Sequence, residues 1–173
     1  EEMIQLLLII DKNKYSDKID EYINAKNEGC DGLEKYAVIE NDEREKRIIH
    51  GWGDKRSYLV GGFKDTDGSS RYSLTSSAFW VLSGMYEKDT SIKNTIMDIY
   101  EHLDSKYGLK TFEPYFPVGM YGVGRIPKLP AGTAENAAAY VHATMFGIAS
   151  LYRMGEGEFA FEQLIKTLPI THK

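Results

Sequence analysis

The chain has 173 residues, of which 42% are hydrophobic, 27% charged and 12% aromatic, and these values are typical of a globular domain with a sizeable core. Its net charge of −5 argues against a nucleic-acid partner, because phosphate backbones need a basic protein face. Cys30 is the only cysteine and has no Cys or His neighbour at zinc-ligand spacing, so we expect neither a disulfide nor a metal site. Residues 6–10 are too few to cross a bilayer and follow acidic residues, so we expect no membrane partner and a cytoplasmic location.

Two helices are predicted at the start of the chain. The apolar residues 3–10 are typical of the end of a buried helix, and Ser16 is suited to cap a second helix. Gly29 and Gly32 interrupt the second helical pattern, so we expect them to break it.

The next segment predicts exposed charge and then a hairpin. Residues 43–47 mix acidic and basic side chains, which is typical of a solvated segment. Residues 47–62 predict a short β-hairpin, and residues 65–68 predict a turn. The acidic residues of this part are therefore interpreted as turn formers: Asp54, Asp65 and Asp67.

The second half of the chain predicts four helices. One covers residues 74–86, and the next begins near Thr90 and stops near Gly108. A third helix is predicted over residues 133–154 and a fourth over residues 157–168. The sum is an all-α class with a short β-hairpin, and the lack of a βαβ pattern argues against a parallel sheet.

A long loop separates the second and third of these helices. It contains four prolines and three glycines, and a structureless loop of about 20 residues is usually functional. Directly after it, Glu135 and His142 are seven residues apart, which on one helix places both on the same side. Small residues between them, Ala137 to Ala139, would leave open space above the helix. The segment therefore predicts the wall of a polar pocket.

Four separated motifs resemble those of glycoside hydrolase family 94, in the family's order. Residues 130–142 (PAGTAENAAAYVH) are similar to its P-G-x-x-E-N-x-x-x-x-x-H signature. Residues 73–84 (SLTSSAFWVLSG) resemble its S-Q-x-W-x-V-L-S-G region, and residues 155–160 and 168–172 resemble its G-x-G-D-x-A and L-x-P-I-x-H motifs. The family contains cellobiose and chitobiose phosphorylases and the phosphorylase-like part of cyclic β-1,2-glucan synthases.

The resemblance implies a fold, a reaction and residue roles. It implies the C-terminal half of an (α/α)6 barrel, here as a single domain over residues 1–173. It implies inverting phosphorolysis of β-linked glucosides, with inorganic phosphate as co-substrate and no cofactor. Glu135 matches the glutamate that binds the acceptor sugar, and His142 matches a histidine that binds phosphate. The family's acidic D-W-N-D motif has no counterpart in this chain, so we expect the general acid aspartate upstream of Glu1 and an inactive fragment.

Other side chains are weaker candidates for the same site. Arg125 is a candidate contact to sugar or phosphate. Four aromatic residues are candidates to stack on a pyranose ring, whose faces are apolar: Trp52, Tyr115, Phe116 and Tyr121. Because a closed barrel needs about twice the helices predicted here, we expect apolar faces that pair with the remainder of a parent chain or with a second copy.

Two other functions stay open at this point. One is an α/α-barrel hydrolase with water as nucleophile and Glu135 or Glu113 as a catalytic carboxylate. The other is a non-catalytic helical domain that binds a glycan or a protein through the loop at residues 112–130. Dependence on phosphate separates the phosphorylase from the hydrolase.

Overall fold

A computed structural model describes residues 2–52 and 59–169, without the side chains of Trp52 and Leu59. The chain divides into two compact units, residues 1–38 and residues 39–173. Helices dominate both units, which confirms the prediction of a mostly helical protein. The strands in the described part form two-stranded sheets only.

The first unit consists of two packed helices, α1 (Glu2–Asp11) and α2 (Ser16–Tyr36). The prediction that Gly29 and Gly32 break the second helix is wrong, because α2 continues through both. A glycine inside a helix costs only about 1 kcal/mol, which is too little to end a helix of this length. The prediction that α1 is buried is also wrong: Ile4 is its buried residue, whereas Ile9 is 81% exposed.

In the described part of the chain, three strand pairs lie ahead of and between the helices that follow α2, and the second and third pairs are antiparallel. Strand β1 (Val38–Glu40) pairs with β2 (Lys46–Ile48), a pairing that the sequence did not predict. Strand β3 (Gly51–Trp52) pairs with β4 (Leu59–Val60), which confirms the predicted hairpin. Strand β5 (Tyr72–Ser73) pairs with β6 (Phe112–Glu113), which the sequence did not predict. The β5–β6 pairing brings residues 112–113 beside residues 72–73, directly before the next helix.

One charged residue of the segment at residues 43–47 is not solvated. Arg47 is only 4% exposed, and its guanidinium carbon lies 4.2 Å from the ring centroid of Tyr72 and 4.8 Å from that of Phe63. A planar guanidinium stacks well on aromatic faces, so the charge is accommodated between two rings. The solvated interpretation is therefore wrong for Arg47, although its neighbours Arg44 and Glu45 are exposed.

Five further α-helices lie in the described residues of the second unit. The predicted helix at residues 74–86 is split into α3 (Leu74–Leu82) and α4 (Met85–Lys88), because Gly84 adopts a left-handed φ of 89°. After the 3-10 turn Thr90–Ile92 comes α5 (Lys93–Leu103). The 3-10 turn Ile126–Lys128 lies in the long loop, and α6 (Val141–Arg153) and α7 (Gly157–Thr167) follow it. The fourth predicted helix is thus confirmed within one residue.

Helix α6 lies between α3 and α7 and packs closely on α3. The close approach depends on Gly147, where an added Cβ atom would lie 2.8 Å from Cδ1 of Leu109 and 2.9 Å from Cδ1 of Leu74. A separate apolar cluster is built largely by residues of the β6 region and the long loop. It consists of Val60, Phe112, Phe116 and Val123, with Met120 and Ile126 packed against it. Among the described helices, none combines the length and apolar composition needed to span a bilayer.

Candidate functional site

A cavity of about 200 Å³ lies in the second unit, where the long loop meets α3 and α6. Five segments that are distant in sequence contribute to it: the residue before β3, the start of α3, the β6 region, the loop and the first two turns of α6. The cavity is lined by His50, Thr75, Thr111, Phe112, Ile126, Glu135, Tyr140, His142, Ala143 and Phe146. Carboxylate, imidazole and hydroxyl groups therefore converge on a largely aromatic and aliphatic surface.

Glu135 and His142 both line this cavity, but they do not share a helix. Helix α6 begins at Val141, so His142 lies in its first turn and Glu135 lies six residues before the helix. The prediction of one helix over residues 133–154 is therefore wrong at its N-terminal end. The two side chains meet at the cavity because the preceding turn folds back, and not because of helical periodicity.

The segment before α6 is kept out of a helix by hydrogen bonds to distant residues. The Thr111 hydroxyl donates to the Glu135 carbonyl at 3.0 Å, and the Thr111 amide donates to the Ala138 carbonyl at 2.8 Å. Ala134 and Ala137 adopt left-handed φ values of 45° and 64°, which a right-handed helix does not allow. Tertiary contacts thus override the high helix propensity of this alanine-rich segment.

The Glu135 side chain pairs with Arg125, whose guanidinium donates to Oε1. The residue's own backbone N–H and, next, Arg125 lower the pKa of Glu135 below its usual value. The carboxylate therefore stays ionised near neutral pH and offers acceptor oxygens to hydroxyl groups. The structure brings Arg125 to the edge of the cavity through this ion pair, although Arg125 is not one of the lining residues.

His142 lies among aromatic rings at the exposed rim of the cavity. Its ring centroid is 5.0 Å from that of Phe146 and 6.2 Å from that of Tyr140. The N-cap residue of α6, Tyr140, makes no side-chain capping bond to the helix. The imidazole thus lies beside a helix N-terminus, where amide N–H groups and the helix dipole favour an anion.

His50 is a cavity residue that the sequence analysis missed. Its Nδ1 atom lies 3.3 Å from the Thr75 hydroxyl and 3.4 Å from the Ser73 hydroxyl, and its ring meets Phe112 edge-on. Burial against these neighbours lowers the pKa of His50, which favours the neutral ring. No local signal marked this residue, because it reaches the cavity only after β3 pairs with β4.

The aromatic candidates whose side chains the structure describes do not line the cavity. Phe116 is fully buried and packs edge-on against Phe112, so it is a core residue rather than a sugar platform. Tyr121 is 72% exposed on the loop, and Tyr115 is half exposed. Neither is among the described residues that line the cavity. The Trp52 side chain, Asp54 and residues 170–172 lie outside the part that the structure describes.

The predicted turn at residues 65–68 is present, and its aspartates also have a structural role that the sequence did not reveal. Arg71 is 1% exposed and donates to Asp65 at 3.0 Å and to Asp67 at 2.6 and 2.8 Å. Its remaining bonds go to the carbonyls of Pro114 and Tyr115 in the long loop. Hydrogen bonds from Arg71 lower the pKa of Asp67, whereas burial raises the pKa of Asp65. This buried cluster anchors the start of the loop.

Fold and site define a mostly helical domain in which a carboxylate and an imidazole face one aromatic-lined cavity. Residues 12–173 match the family described as "Glycosyl hydrolase 94 superfamily, catalytic domain". The chain therefore belongs to the glycosyl hydrolase 94 superfamily, as the four sequence motifs had indicated.

Several curated relatives are similar to this chain. The cellobionic acid phosphorylase of Neurospora crassa is 36% identical over 112 residues, which cover 64% of this chain and 14% of the relative. The solabiose phosphorylase of Paenibacillus borealis is 30% identical over 152 residues, covering 88% of this chain and 17% of the relative. The N,N'-diacetylchitobiose phosphorylase of Vibrio furnissii is 29% identical over 139 residues, covering 75% and 17%. The chain thus spans about a sixth of these relatives' length.

Proposed function

We propose that this chain forms part of the active-site wall of an inverting glycoside phosphorylase that acts on β-linked disaccharides or oligosaccharides. In this proposal Glu135 binds the acceptor sugar and His142 binds inorganic phosphate, within an (α/α)6 barrel whose C-terminal half is this chain. The observation that carries the proposal is that both side chains line one cavity. Family membership supports it, as does the fact that the relatives above are named as phosphorylases.

The cavity has the two kinds of surface that a pyranose needs. Phe112, Ile126 and Phe146 offer apolar contact to the face of a sugar ring, which carries mostly C–H groups. The Glu135 carboxylate offers strong acceptors to the hydroxyls on the ring edge, because hydrogen bonds to an ionised group are about twice as strong as neutral ones. Arg125, held by Glu135, adds donors at the rim.

The phosphate role proposed for His142 rests on its position. The residue lies in the first turn of α6, so an anion there interacts with both the imidazole and the positive end of the helix dipole. A phosphate held in this way is oriented for in-line attack on the anomeric carbon, which lowers the entropy cost of the displacement. Phosphate is a co-substrate here and no cofactor is invoked.

The reaction proposed is a single displacement with inversion. An aspartic acid protonates the glycosidic oxygen while phosphate attacks the anomeric carbon from the opposite face, so no second carboxylate is needed as a base. Glu135 is unsuited to be that acid, because an acid needs a raised pKa and that of Glu135 is lowered. In this proposal a residue other than Glu135 therefore supplies the proton.

The two other functions have less support. A hydrolase that uses Glu113 is disfavoured, because Glu113 forms an ion pair with Lys110 and does not line the cavity. A non-catalytic domain that binds through the loop at residues 112–130 would not explain why Glu135 and His142 converge. Phosphate dependence of sugar release separates all three: a phosphorylase needs phosphate, a hydrolase does not, and a binding domain releases nothing.

Two substitutions in the complete enzyme that contains this chain test the proposal. Glu135→Gln is expected to raise the acceptor KM in the synthetic direction by about tenfold, since a charged hydrogen-bond acceptor is lost. His142→Asn is expected to raise the phosphate KM by about tenfold and to leave the acceptor KM nearly unchanged. Matched controls are Glu101→Gln and His102→Asn on the exposed side of α5. Unchanged kinetics in both test variants, or sugar release without phosphate, would reject the proposal.

The partner proposed for the apolar faces is the remainder of a parent chain, or otherwise a second copy. The large exposed side chains of α1 support it: Met3, Leu6, Ile9 and Ile10. Such a row of apolar residues is unusual on a monomeric surface. Gel filtration of the isolated chain is expected to show self-association, and a well-behaved monomer would contradict this.

A further inference from the structure

We propose that Asn136 is the positioning residue that holds the Glu135 carboxylate in the orientation needed to bind the acceptor sugar. This inference rests on the sugar-binding role proposed for Glu135. It assigns to Asn136 no contact with the sugar itself, because Asn136 has no exposed surface and is not among the residues that line the cavity.

The Asn136 side chain joins both ends of the long loop. Its Nδ2 atom donates to the carbonyl of Phe116 at 3.0 Å and to the carbonyl of Leu129 at 2.9 Å. Its Oδ1 atom accepts from the Phe116 amide at 2.7 Å. One buried amide therefore closes residues 116–129 into a ring. Arg125 lies within that ring, so the same closure also places the guanidinium that pairs with Glu135.

The backbone on both sides of Glu135 is held as well. The Asn136 carbonyl accepts from the Gly132 amide at 2.8 Å, and the Asn136 amide donates to the Thr133 carbonyl at 2.9 Å. The Thr111 hydroxyl donates to the Glu135 carbonyl at 3.0 Å. The carbonyl of Glu135 is thus held by Thr111, which directly precedes β6, and the next residue, Asn136, is held through both its side chain and its backbone. Little freedom therefore remains for the Cα–Cβ direction of Glu135.

Strained backbone on each side of the pair Glu135–Asn136 supports this role. Ala134 and Ala137 both have left-handed φ values, at which an alanine Cβ meets the backbone. Such conformations persist only where surrounding contacts over-determine them, and they cluster at functional sites. Without the Asn136 bonds, the turn is expected to relax toward ordinary backbone conformations, and the carboxylate would move away from its place at the cavity.

The effect of Asn136 is expected to pass through Glu135, and a double-mutant cycle in the complete enzyme measures this. Asn136→Ala removes the three side-chain bonds without adding charge and is expected to raise the acceptor KM about fivefold to tenfold. The phosphate KM should stay within about twofold, because His142 is carried by α6 and not by the turn. In the Glu135→Gln background, Asn136→Ala should have almost no further effect on the acceptor KM. Asn94→Ala, on exposed surface of α5, is the matched control.

A second pair of variants covers the case in which Asn136→Ala does not fold. Thr111→Val removes the hydroxyl that donates to the Glu135 carbonyl and keeps a β-branched side chain, and Thr111→Ser keeps the hydroxyl. We expect Val to raise the acceptor KM and Ser to restore it, with the Val effect again lost in the Glu135→Gln background.

The outcomes are distinguishable from failure of the proposed function. If Glu135→Gln leaves the acceptor KM unchanged, the sugar-binding role of Glu135 is rejected and the inference is rejected with it. If Glu135→Gln acts as expected but the Asn136 and Thr111 effects are fully additive with it, only the positioning role is overturned. Equal increases in the acceptor and phosphate KM values would also overturn it, because they would indicate a general structural defect.

Discussion

Helices α3, α6 and α7 form a helix layer, and the forces that hold this layer differ from those that hold the loop before α6. Between α3 and α6 the contact is apolar and tight: Leu74, Val81 and Leu151 are fully buried, and Gly147 lets the two helices approach. In the loop, directional bonds from buried polar groups hold the chain, chiefly from Arg71 and Asn136. The candidate site lies where these two regions meet.

This difference has a consequence for what each region tolerates. Apolar burial is non-directional, so a helix layer depends on volume and shape more than on particular residue types. A buried polar network depends on every member, because one missing partner leaves another group unsatisfied. Substitutions in the loop anchors are therefore expected to cost more than equally large changes in the helix layer.

The largest effect is expected for Arg71→Met, which removes the cation from the loop anchor. Asp65, buried with no exposed side-chain surface, would lose its ion-pair partner, and the carbonyls of Pro114 and Tyr115 would lose a donor. Removing one partner of a buried ion pair costs about 3–5 kcal/mol. The free energy of unfolding from urea titration measures this.

The matched control is Arg153→Met, whose partner Glu87 is about half exposed. A surface pair contributes only about 0–1 kcal/mol, so the free energy of unfolding of this variant should be almost that of the unsubstituted chain. Similar losses in both variants would contradict the idea that burial makes the Arg71 cluster the anchor of the loop.

A smaller effect is expected for Gly147→Val in the helix layer. The new Cβ would lie within 3 Å of Leu74 and Leu109, so the α3–α6 contact must open or the leucine side chains must move. Overpacking of this kind costs about 1–3 kcal/mol. Thermal unfolding measures the loss of stability. A Tm equal to that of the unsubstituted chain would show that the α3–α6 contact has space for the larger side chain.

Gly29→Ala provides the comparison for Gly147→Val. An added Cβ at Gly29 meets no atom within 4 Å, and the residue lies inside α2. Alanine should therefore stabilise the chain by about 0.5–1 kcal/mol through helix propensity. If Gly29→Ala stabilises the chain and Gly147→Val destabilises it, packing and not backbone conformation decides the outcome at Gly147.

The smallest effect is expected at His50, on the border between helix layer and loop. Burial lowers the folded-state pKa of His50, so the unfolded chain takes up a proton first as the pH falls. Its contribution to stability is therefore fully present above the ordinary pKa of about 6.5 and decreases as the pH falls toward the folded-state pKa. The midpoints of urea unfolding at about pH 7.5 and about pH 5.5 should differ less in His50→Gln than in the unsubstituted chain. Equal differences in both proteins would contradict this.

Much of the helix content was predictable, and the exceptions have identifiable causes. Helix α7 and the body of α5 follow the sequence pattern, because their apolar residues recur at helical spacing. The break at Gly84 was missed because neither its left-handed conformation nor the end of α3 is visible in periodicity. The continuation of α2 through Gly29 and Gly32 is not visible in the sequence pattern, because the propensity cost of two glycines is too small to end this helix.

For the site, the pattern identified residues but not their arrangement. The motif marked Glu135 and His142, and both line the cavity. The predicted reason was a shared helix, which is wrong, since Thr111 takes the carbonyls that a helix would use. His50 and Thr75 reach the cavity only through the strand pairing and the position of α3, so no local pattern could have found them.

The sequence by itself determined the family, the mostly helical class and the identity of the two central side chains. These depend on residue types and short spacings, which the chain carries without folding. Only the tertiary structure decided where α6 begins, which polar residues anchor the loop, and how Glu135 meets His142. The reason is physical: hydrogen bonds from Arg71, Thr111 and Asn136 join residues far apart in sequence. Those of Thr111 and Asn136 outweigh the local preference of residues 133–140 for a helix.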